Sequence, residues 1–161
     1  MTIKVGDKLP NATLRLVTED GARPVTTQEF FAGKKVVLFG LPGAFTPTCH
    51  KNHLPGFLAD EAAFKAKGVD AIAMTSVNDH YVLAAWSKAT GSDGHIDFLA
   101  DGAADFAKAT GLEFDASAGG LGLRSKRYSM VVEDGVVTKL NIEESPGEVD
   151  LSGAEHLLAE I

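Results

Sequence analysis

The sequence lacks several features that would place it in a familiar functional class. It contains a single cysteine, Cys49, in 161 residues, so it can form neither an intrachain disulfide nor a zinc site built from several cysteines. Basic residues are in the minority, with 15 lysines and arginines against 22 aspartates and glutamates and a net charge of −7. Because nucleic-acid binding normally requires a clustered positive field, DNA and RNA are poor candidates as partners.

Long apolar stretches are also missing. No segment has enough consecutive apolar residues to cross a bilayer, and residues 1–7 lack the apolar core of a secretory signal. We therefore expect no membrane partner and a cytoplasmic location. The composition, with 45% hydrophobic and 23% charged residues, is typical of a globular protein, and the length predicts a single domain over residues 1–161.

Apolar runs and turn residues predict strands and helices in alternation. Alternating polarity over 12–17, a turn at 19–21 and an extended run around 24–26 predict an N-terminal β-hairpin. The later runs that predict strands are 36–41, 69–77, 96–99, 128–132 and 136–140. Helices are predicted from Cys49 to Gly68, over 79–90, over 101–110 and after Ser152.

Parallel crossover units followed by an antiparallel pair predict an α/β fold, with a mixed central sheet and helices on both faces. Asp134-Gly135 is a strong hairpin signal between the last two strands. Asn78, Asp101 and Ser152 are predicted to cap helices. Pro55 lies inside a helical pattern, removes a backbone donor and predicts a kink.

Cys49 is the main candidate for chemistry. It follows Thr46-Pro47-Thr48, where a hydroxyl can cap the helix and leave the cysteine in its first turn. Unpaired backbone N–H groups and the positive end of the helix dipole then favour the nucleophilic thiolate. The position after a buried strand is also where α/β sheets commonly place ligand sites. The alternative is a small buried hydrophobe.

The segment Pro42-Gly43-Ala44-Phe45-Thr46-Pro47-Thr48-Cys49 resembles the peroxiredoxin signature of a proline, three residues, a threonine, two residues and a cysteine. Three further segments resemble the type II, or peroxiredoxin-five-like, branch, and the likeness covers nearly the whole chain. They are His53-Leu54-Pro55-Gly56-Phe57, Ser76-Val77-Asn78-Asp79 and Arg127-Tyr128-Ser129-Met130-Val131-Val132. The resemblance implies a thioredoxin-like fold, a peroxidase that needs no cofactor, and a homodimer with Phe45 near its contact.

The resemblance also implies roles for four residues. Cys49 is the peroxidatic thiolate, and Thr46 hydrogen-bonds the bound peroxide. Pro42 shields the pocket from water. Arg127 holds the peroxide and stabilises negative charge on sulfur and oxygen, a role that suits a planar cation with several donors.

Spacing alone does not select Arg127. Arg124, Lys126 and Arg127 form a small basic cluster of the kind that is usually only a solvated surface. The following strand directs Arg127, Ser129 and Val131 to one face and the intervening residues to the other, so only one face can approach the sulfur.

The implied reaction is reduction of hydrogen peroxide or an organic hydroperoxide, which leaves a sulfenic acid on Cys49. A second thiol normally resolves a sulfenic acid, and this chain has none. In related proteins the second cysteine can lie in the strand before Ser76 or near the C-terminal helix, where this chain has Ala73, Met74 and Ser152. We therefore predict that the reductant is external, either glutathione, a glutaredoxin or thioredoxin.

Other interpretations stay open at this point. A redox-sensing module would form mixed disulfides through Cys49 without sustained turnover, and a structural domain would carry an inert thiol. A metal site at Cys49, His50 and His53 is disfavoured because a closed zinc site needs four ligands and Pro55 disturbs the helical spacing. We expect His50 to face solvent and His53 to be packed, with neither in catalysis. The glycine-rich segment 119–122 predicts a mobile loop rather than a phosphate cradle.

Overall fold

The computed structural model describes all residues from Met1 to Ile161. The strands are β1 Thr13–Thr18, β2 Gly21–Thr26, β3 Lys35–Gly40, β4 Ala71–Ser76, β5 Asp97–Ala100, β6 Glu113–Asp115, β7 Leu123–Ser125, β8 Tyr128–Glu133 and β9 Val136–Ile142. The α-helices are α1 Thr27–Phe31, α2 Leu54–Ala59, α3 Glu61–Ala66, α4 His80–Thr90, α5 Asp105–Thr110 and α6 Ala154–Glu160. A π-helical segment, Cys49–His53, precedes α2. None of these helices has the length and apolar character that a membrane span requires.

Seven strands form a mixed sheet in the order β2-β1-β5-β4-β3-β8-β9. β3, β4 and β5 run parallel, whereas β1 and β8 pair antiparallel with β5 and β3. The predicted hairpins at both ends of the chain are present as β1–β2 and β8–β9. The order and the covering helices confirm the predicted thioredoxin-like α/β fold.

Each face of the sheet carries its own hydrophobic cluster. The first face packs against α2, α3, α4 and α6, and its 18 buried residues include Cys49, Phe57 and Trp86. The second face packs against α1 and α5 through 16 buried residues that include Phe31, Phe106 and Met130. Burial of one large apolar side chain contributes about 1.5–3 kcal/mol, so both faces stabilise the fold.

Helix α1 and strands β6 and β7 were not predicted. α1 begins at Thr26, whose side chain accepts a hydrogen bond from the Glu29 N–H; the Thr-x-x-Glu spacing of a capping box was available as a signal. β6 and β7 form a separate two-stranded sheet around the glycine-rich segment 119–122. Three-residue strands are too short to show alternation, which explains why periodicity missed them.

The helix caps correct part of the sequence interpretation. Asp79, not Asn78, caps α4 and accepts from the Val82 N–H. Ser152 does not cap α6, because Gly153 occupies that position. Asp101 does bind the start of α5, accepting from two of its backbone N–H groups, although the helix begins four residues later.

The helix around Pro55 is interrupted rather than simply kinked. Leu54 N–H donates to the Cys49 carbonyl, a spacing of five residues that makes the turn π-helical. Pro55 has no N–H to continue the normal ladder, so the wider turn lies directly before it. A second break at Asp60 separates α2 from α3, and the helical region ends before Gly68 as predicted.

Candidate active site

Cys49 lies near the start of a helix that begins at Pro47, and it is fully buried. The His50 N–H donates to the Thr46 carbonyl at 2.9 Å, which makes Thr46 the residue at the helix start. The predicted hydroxyl cap is wrong. The Thr46 Oγ1 hydroxyl donates to the Gly43 carbonyl at 2.7 Å, and the Thr48 hydroxyl donates to the Gly147 carbonyl, because nearby carbonyls compete for these hydroxyls.

Arg127 reaches Cys49 from the residue before β8. Its Nη2 donates to the Cys49 Sγ at 3.1 Å, its Nη1 to His53 Nδ1 at 3.0 Å and its Nε to the Pro146 carbonyl at 2.9 Å. The side chain is only 2% exposed, and no carboxylate forms a salt bridge with it. Since a buried charge needs a partner, the Cys49 sulfur is the contacting atom that can carry the compensating negative charge.

His53 is buried and held in one protonation state. A guanidinium cannot accept a hydrogen bond, so His53 Nδ1 must be the acceptor and Nε2–H must donate to the Ser152 carbonyl, 3.0 Å away. Burial, together with the charge of Arg127, lowers the pKa of His53 to about 3. His53 is therefore neutral near pH 7 and packs beside Phe39 and Phe57.

The sequence predicted that His50 faces solvent, whereas the structure buries part of its side chain. It is half-buried, and its Nδ1 accepts from Trp86 Nε1 at 2.9 Å. The Phe45 ring stacks on it with the centroids 5.7 Å apart. The buried Trp86 needs an acceptor for its indole N–H, and His50 supplies it.

Both ring nitrogens of His53 already form hydrogen bonds, so His53 has none left to complete a Cys-His-His metal site. No cluster of three or more histidine, cysteine, aspartate or glutamate side chains has a geometry that could hold a metal ion.

A cavity of 470 Å³ brings together Pro42, Thr46 and Arg127, three of the four predicted site residues. Apolar residues from the β6–β7 region, including Phe114 and Leu121, complete its wall. The buried Cys49 does not line it; Arg127 connects the two, since it lines the cavity and bonds the sulfur. A second cavity of 490 Å³ between α2 and α6 has no cysteine, threonine or arginine in its lining and is a weaker candidate.

Arg124 contacts backbone carbonyls and not the Cys49 sulfur. Its Nε donates to the Leu121 carbonyl and its Nη1 to the Pro42 carbonyl. Gly43 makes room for this contact, because a Cβ there would lie 2.5 Å from Arg124 Nη1. Arg124 therefore ties the loop before Cys49 to the β6–β7 region.

Asn78 also supports this loop, although the sequence suggested only a helix cap. Its Oδ1 accepts from the Ala44 N–H at 3.0 Å and from the Ser76 hydroxyl. His53 was likewise missed as the partner of Arg127; its position four residues after Cys49, on one side of a helix, was the available signal.

Comparison with known proteins agrees with this geometry. The redoxin family model matches residues 4–158. Peroxiredoxin-2C from Oryza sativa is 48% identical over 157 residues, which are 97% of this chain and 96% of that protein.

Two solved structures cover nearly the whole chain. Reduced Prx3 in complex with H₂O₂, from Vibrio vulnificus, has a TM-score of 0.93 and 52% identity, covering 99% of both chains. A Burkholderia cenocepacia protein, provisionally described as a thioredoxin reductase, has a TM-score of 0.97 and 42% identity, covering 100% of this chain and 99% of that one. These structures share the fold.

Some relatives are named as chloroplastic or mitochondrial, so the cytoplasmic location stays a prediction. The matches over almost the full length confirm the resemblance drawn from the motif around Cys49. This chain belongs to the redoxin family and, within it, to the type II, peroxiredoxin-five-like branch of the peroxiredoxins, which are thiol-dependent peroxidases.

Proposed function

We propose that this peroxiredoxin works by a one-cysteine cycle in which Cys49 attacks the peroxide, Thr46 and Arg127 bind it, and Pro42 limits water in the pocket. The observation that carries the proposal is the 3.1 Å hydrogen bond from Arg127 Nη2 to Cys49 Sγ in a buried site where no carboxylate forms a salt bridge with Arg127. A charge-assisted bond of this kind stabilises the thiolate over the thiol.

In the first half-reaction, the Cys49 thiolate attacks one peroxide oxygen and the O–O bond breaks. The sulfur becomes a sulfenic acid, and the departing hydroxide or alkoxide takes up from solvent the proton that the Cys49 thiol released when it ionised, which yields water or an alcohol. Arg127 presents fixed donors to the charge that develops on oxygen, an effect that is often the largest in catalysis. Thr46 already gives its hydroxyl proton to the Gly43 carbonyl, so its oxygen is available to accept from the peroxide O–H.

In the second half-reaction, an external thiol attacks the sulfenic sulfur, releases water and forms a mixed disulfide. A second external thiol then releases Cys49 and leaves as the oxidised reductant. Cys49 is the only cysteine, so glutathione, a glutaredoxin or thioredoxin must supply both thiols. Because the sulfur is fully buried, the segment around Cys49 has to open before such a thiol can reach it.

We also propose a homodimer in which Phe45 contributes to the contact. Phe45 is 50% exposed although it is a large apolar residue, and it has a φ of +63°, a left-handed conformation that is rare for a side chain of this size. An exposed aromatic held in this way beside the site is consistent with a covered surface in the assembly.

The decisive experiment measures peroxide consumption with either glutathione plus glutaredoxin or thioredoxin plus its reductase, for hydrogen peroxide and for an alkyl hydroperoxide. We expect sustained turnover with at least one of these reductants and loss of all turnover in Cys49→Ser. A single stoichiometric burst with every reductant would instead favour the redox-sensing module. Full activity of Cys49→Ser would refute the mechanism.

A further inference from the structure

Glu143 follows directly after β9 and is 7% exposed, yet it forms no salt bridge. Its carboxylate accepts from the backbone N–H groups of Asp150, Leu151 and Ser152 at 3.0, 3.2 and 2.8 Å, and also from the Ser152 hydroxyl. Burial by itself raises the pKa of Glu143, but the hydrogen bonds from Ser152, Asp150 and Leu151 outweigh it and leave the pKa below its usual value. The carboxylate thus closes residues 143–152 into one loop.

This loop holds the guanidinium of Arg127 in two ways. The Pro146 carbonyl accepts from Arg127 Nε, and the Ser152 carbonyl accepts from His53, which in turn accepts from Arg127 Nη1. The backbone of Glu143 is also attached to the same residue, because its N–H donates to the Arg127 carbonyl at 2.9 Å. Two of the three side-chain contacts of Arg127 therefore depend on how the loop is folded.

We infer that Glu143 is a positioning residue for the peroxidase reaction: it fixes the Ser152 carbonyl, which holds His53, which holds Arg127 against the Cys49 sulfur. The inference rests on the proposed role of Arg127. The direction of each hydrogen bond follows from chemistry, since the guanidinium can only donate and the carboxylate can only accept. Each link is buried, where loss of one partner leaves the other without a hydrogen bond.

Because His53 contacts Arg127 through one ring nitrogen and Ser152 through the other, substitutions that replace only one of these contacts should have different effects. Asparagine in place of His53 puts an amide oxygen close to the position of Nδ1 and keeps an acceptor for Arg127. Glutamine reaches instead toward the Ser152 carbonyl and leaves Arg127 Nη1 without its acceptor. A role in simple packing would not distinguish these two variants.

The test compares Glu143→Gln, His53→Asn and His53→Gln with two references, Arg127→Met and Val137→Ala. Val137 lies on the second face of the sheet and is fully buried, so its truncation destabilises the fold without touching the loop. Three quantities are measured on each protein: the rate constant of oxidation by hydrogen peroxide in a single turnover, the pH midpoint of Cys49 alkylation, and the thermal midpoint.

We expect Glu143→Gln and His53→Gln to lower the oxidation rate constant by about tenfold, as loss of one hydrogen bond to a charged group implies, and to move the alkylation midpoint to higher pH. His53→Asn keeps an acceptor for Arg127 but loses the bond to the Ser152 carbonyl, so its rate constant should fall between those of the parent protein and His53→Gln. Val137→Ala should change only the thermal midpoint. Equal behaviour of the two His53 variants, or a Glu143→Gln protein that differs from the parent only in thermal midpoint, would overturn the inference. An unchanged rate in Arg127→Met would instead refute the proposed function itself.

Discussion

The two faces of the central sheet bury clusters of similar size, 18 and 16 residues, but differ in chemistry. The only buried cysteine, histidine and arginine of the chain are Cys49, His53 and Arg127, and none of them lies on the second face. The first face surrounds Cys49 and has His53 and Arg127 buried beside it. β8 serves both faces, since Val131 packs on the first and Met130 on the second. Because successive side chains of a strand point to opposite faces of the sheet, β8 contributes both to the packing of the second face and to the surroundings of Cys49 on the first.

The difference shows where stability and reactivity are located. Burying a guanidinium is unfavourable unless hydrogen bonds and an opposite charge compensate, and Arg127 finds both in the Pro146 carbonyl, His53 and Cys49. The second face buries no guanidinium, and its one buried carboxylate, Asp101, accepts from two backbone N–H groups of α5. Substitutions on the second face should therefore change stability alone, whereas substitutions on the first should change reactivity as well.

Substitutions of two neighbouring residues on β3 are expected to give the largest effects that test this comparison. Leu38 packs on the second face and Phe39 on the first, where it stacks on Phe57 and lies 5.2 Å from the His53 ring. Leu38→Ala should lower the free energy of unfolding by about 2–5 kcal/mol and leave the oxidation rate constant of the folded protein unchanged. Phe39→Leu should lower both. Denaturant unfolding and stopped-flow oxidation measure the two quantities, and equal rate losses in both variants would contradict the separation.

The pH dependence of stability gives a second test. Because the pKa of His53 falls from 6.5 to about 3 on folding, the unfolded chain binds more protons between these values, and stability is lost as the pH falls through this window. Between pH 6 and 4 this residue should account for roughly 2 kcal/mol. His53→Asn should remove that part of the decline, as seen in unfolding free energies measured across the window. An identical slope in both proteins would show that His53 ionises as freely in the folded state.

Thr46→Val gives the smallest expected effect. The substitution keeps the shape of the side chain but removes the bond to the Gly43 carbonyl and the oxygen that we propose accepts from the peroxide. One neutral hydrogen bond contributes about 1 kcal/mol, so the oxidation rate constant should fall by roughly fivefold. The pH midpoint of Cys49 alkylation should stay the same, because Arg127 is untouched. A shifted midpoint would mean that Thr46 acts on the thiolate rather than on the peroxide.

Several parts of the fold were predictable because they depend on near neighbours in the sequence. The Asp134-Gly135 turn adopts positive φ values of +48° and +81°, as a tight hairpin requires. The apolar runs that became β3 and β4 were long enough to identify as buried strands. The assignments of Asn78 and Ser152 as caps failed because local spacing could not show that their polar groups bind elsewhere, to Ala44 and to Glu143.

The sequence by itself determined the reactive sulfur, the residue motif around it and the absence of any second thiol for its recycling. Only the tertiary structure decided what surrounds that sulfur. Cys49 and Arg127 are 78 residues apart in the chain, and His53 and Ser152 are 99 apart. Hydrogen-bond partners at such separations are set by strand order and helix packing, whereas sequence patterns report only the few residues that share one turn or one strand.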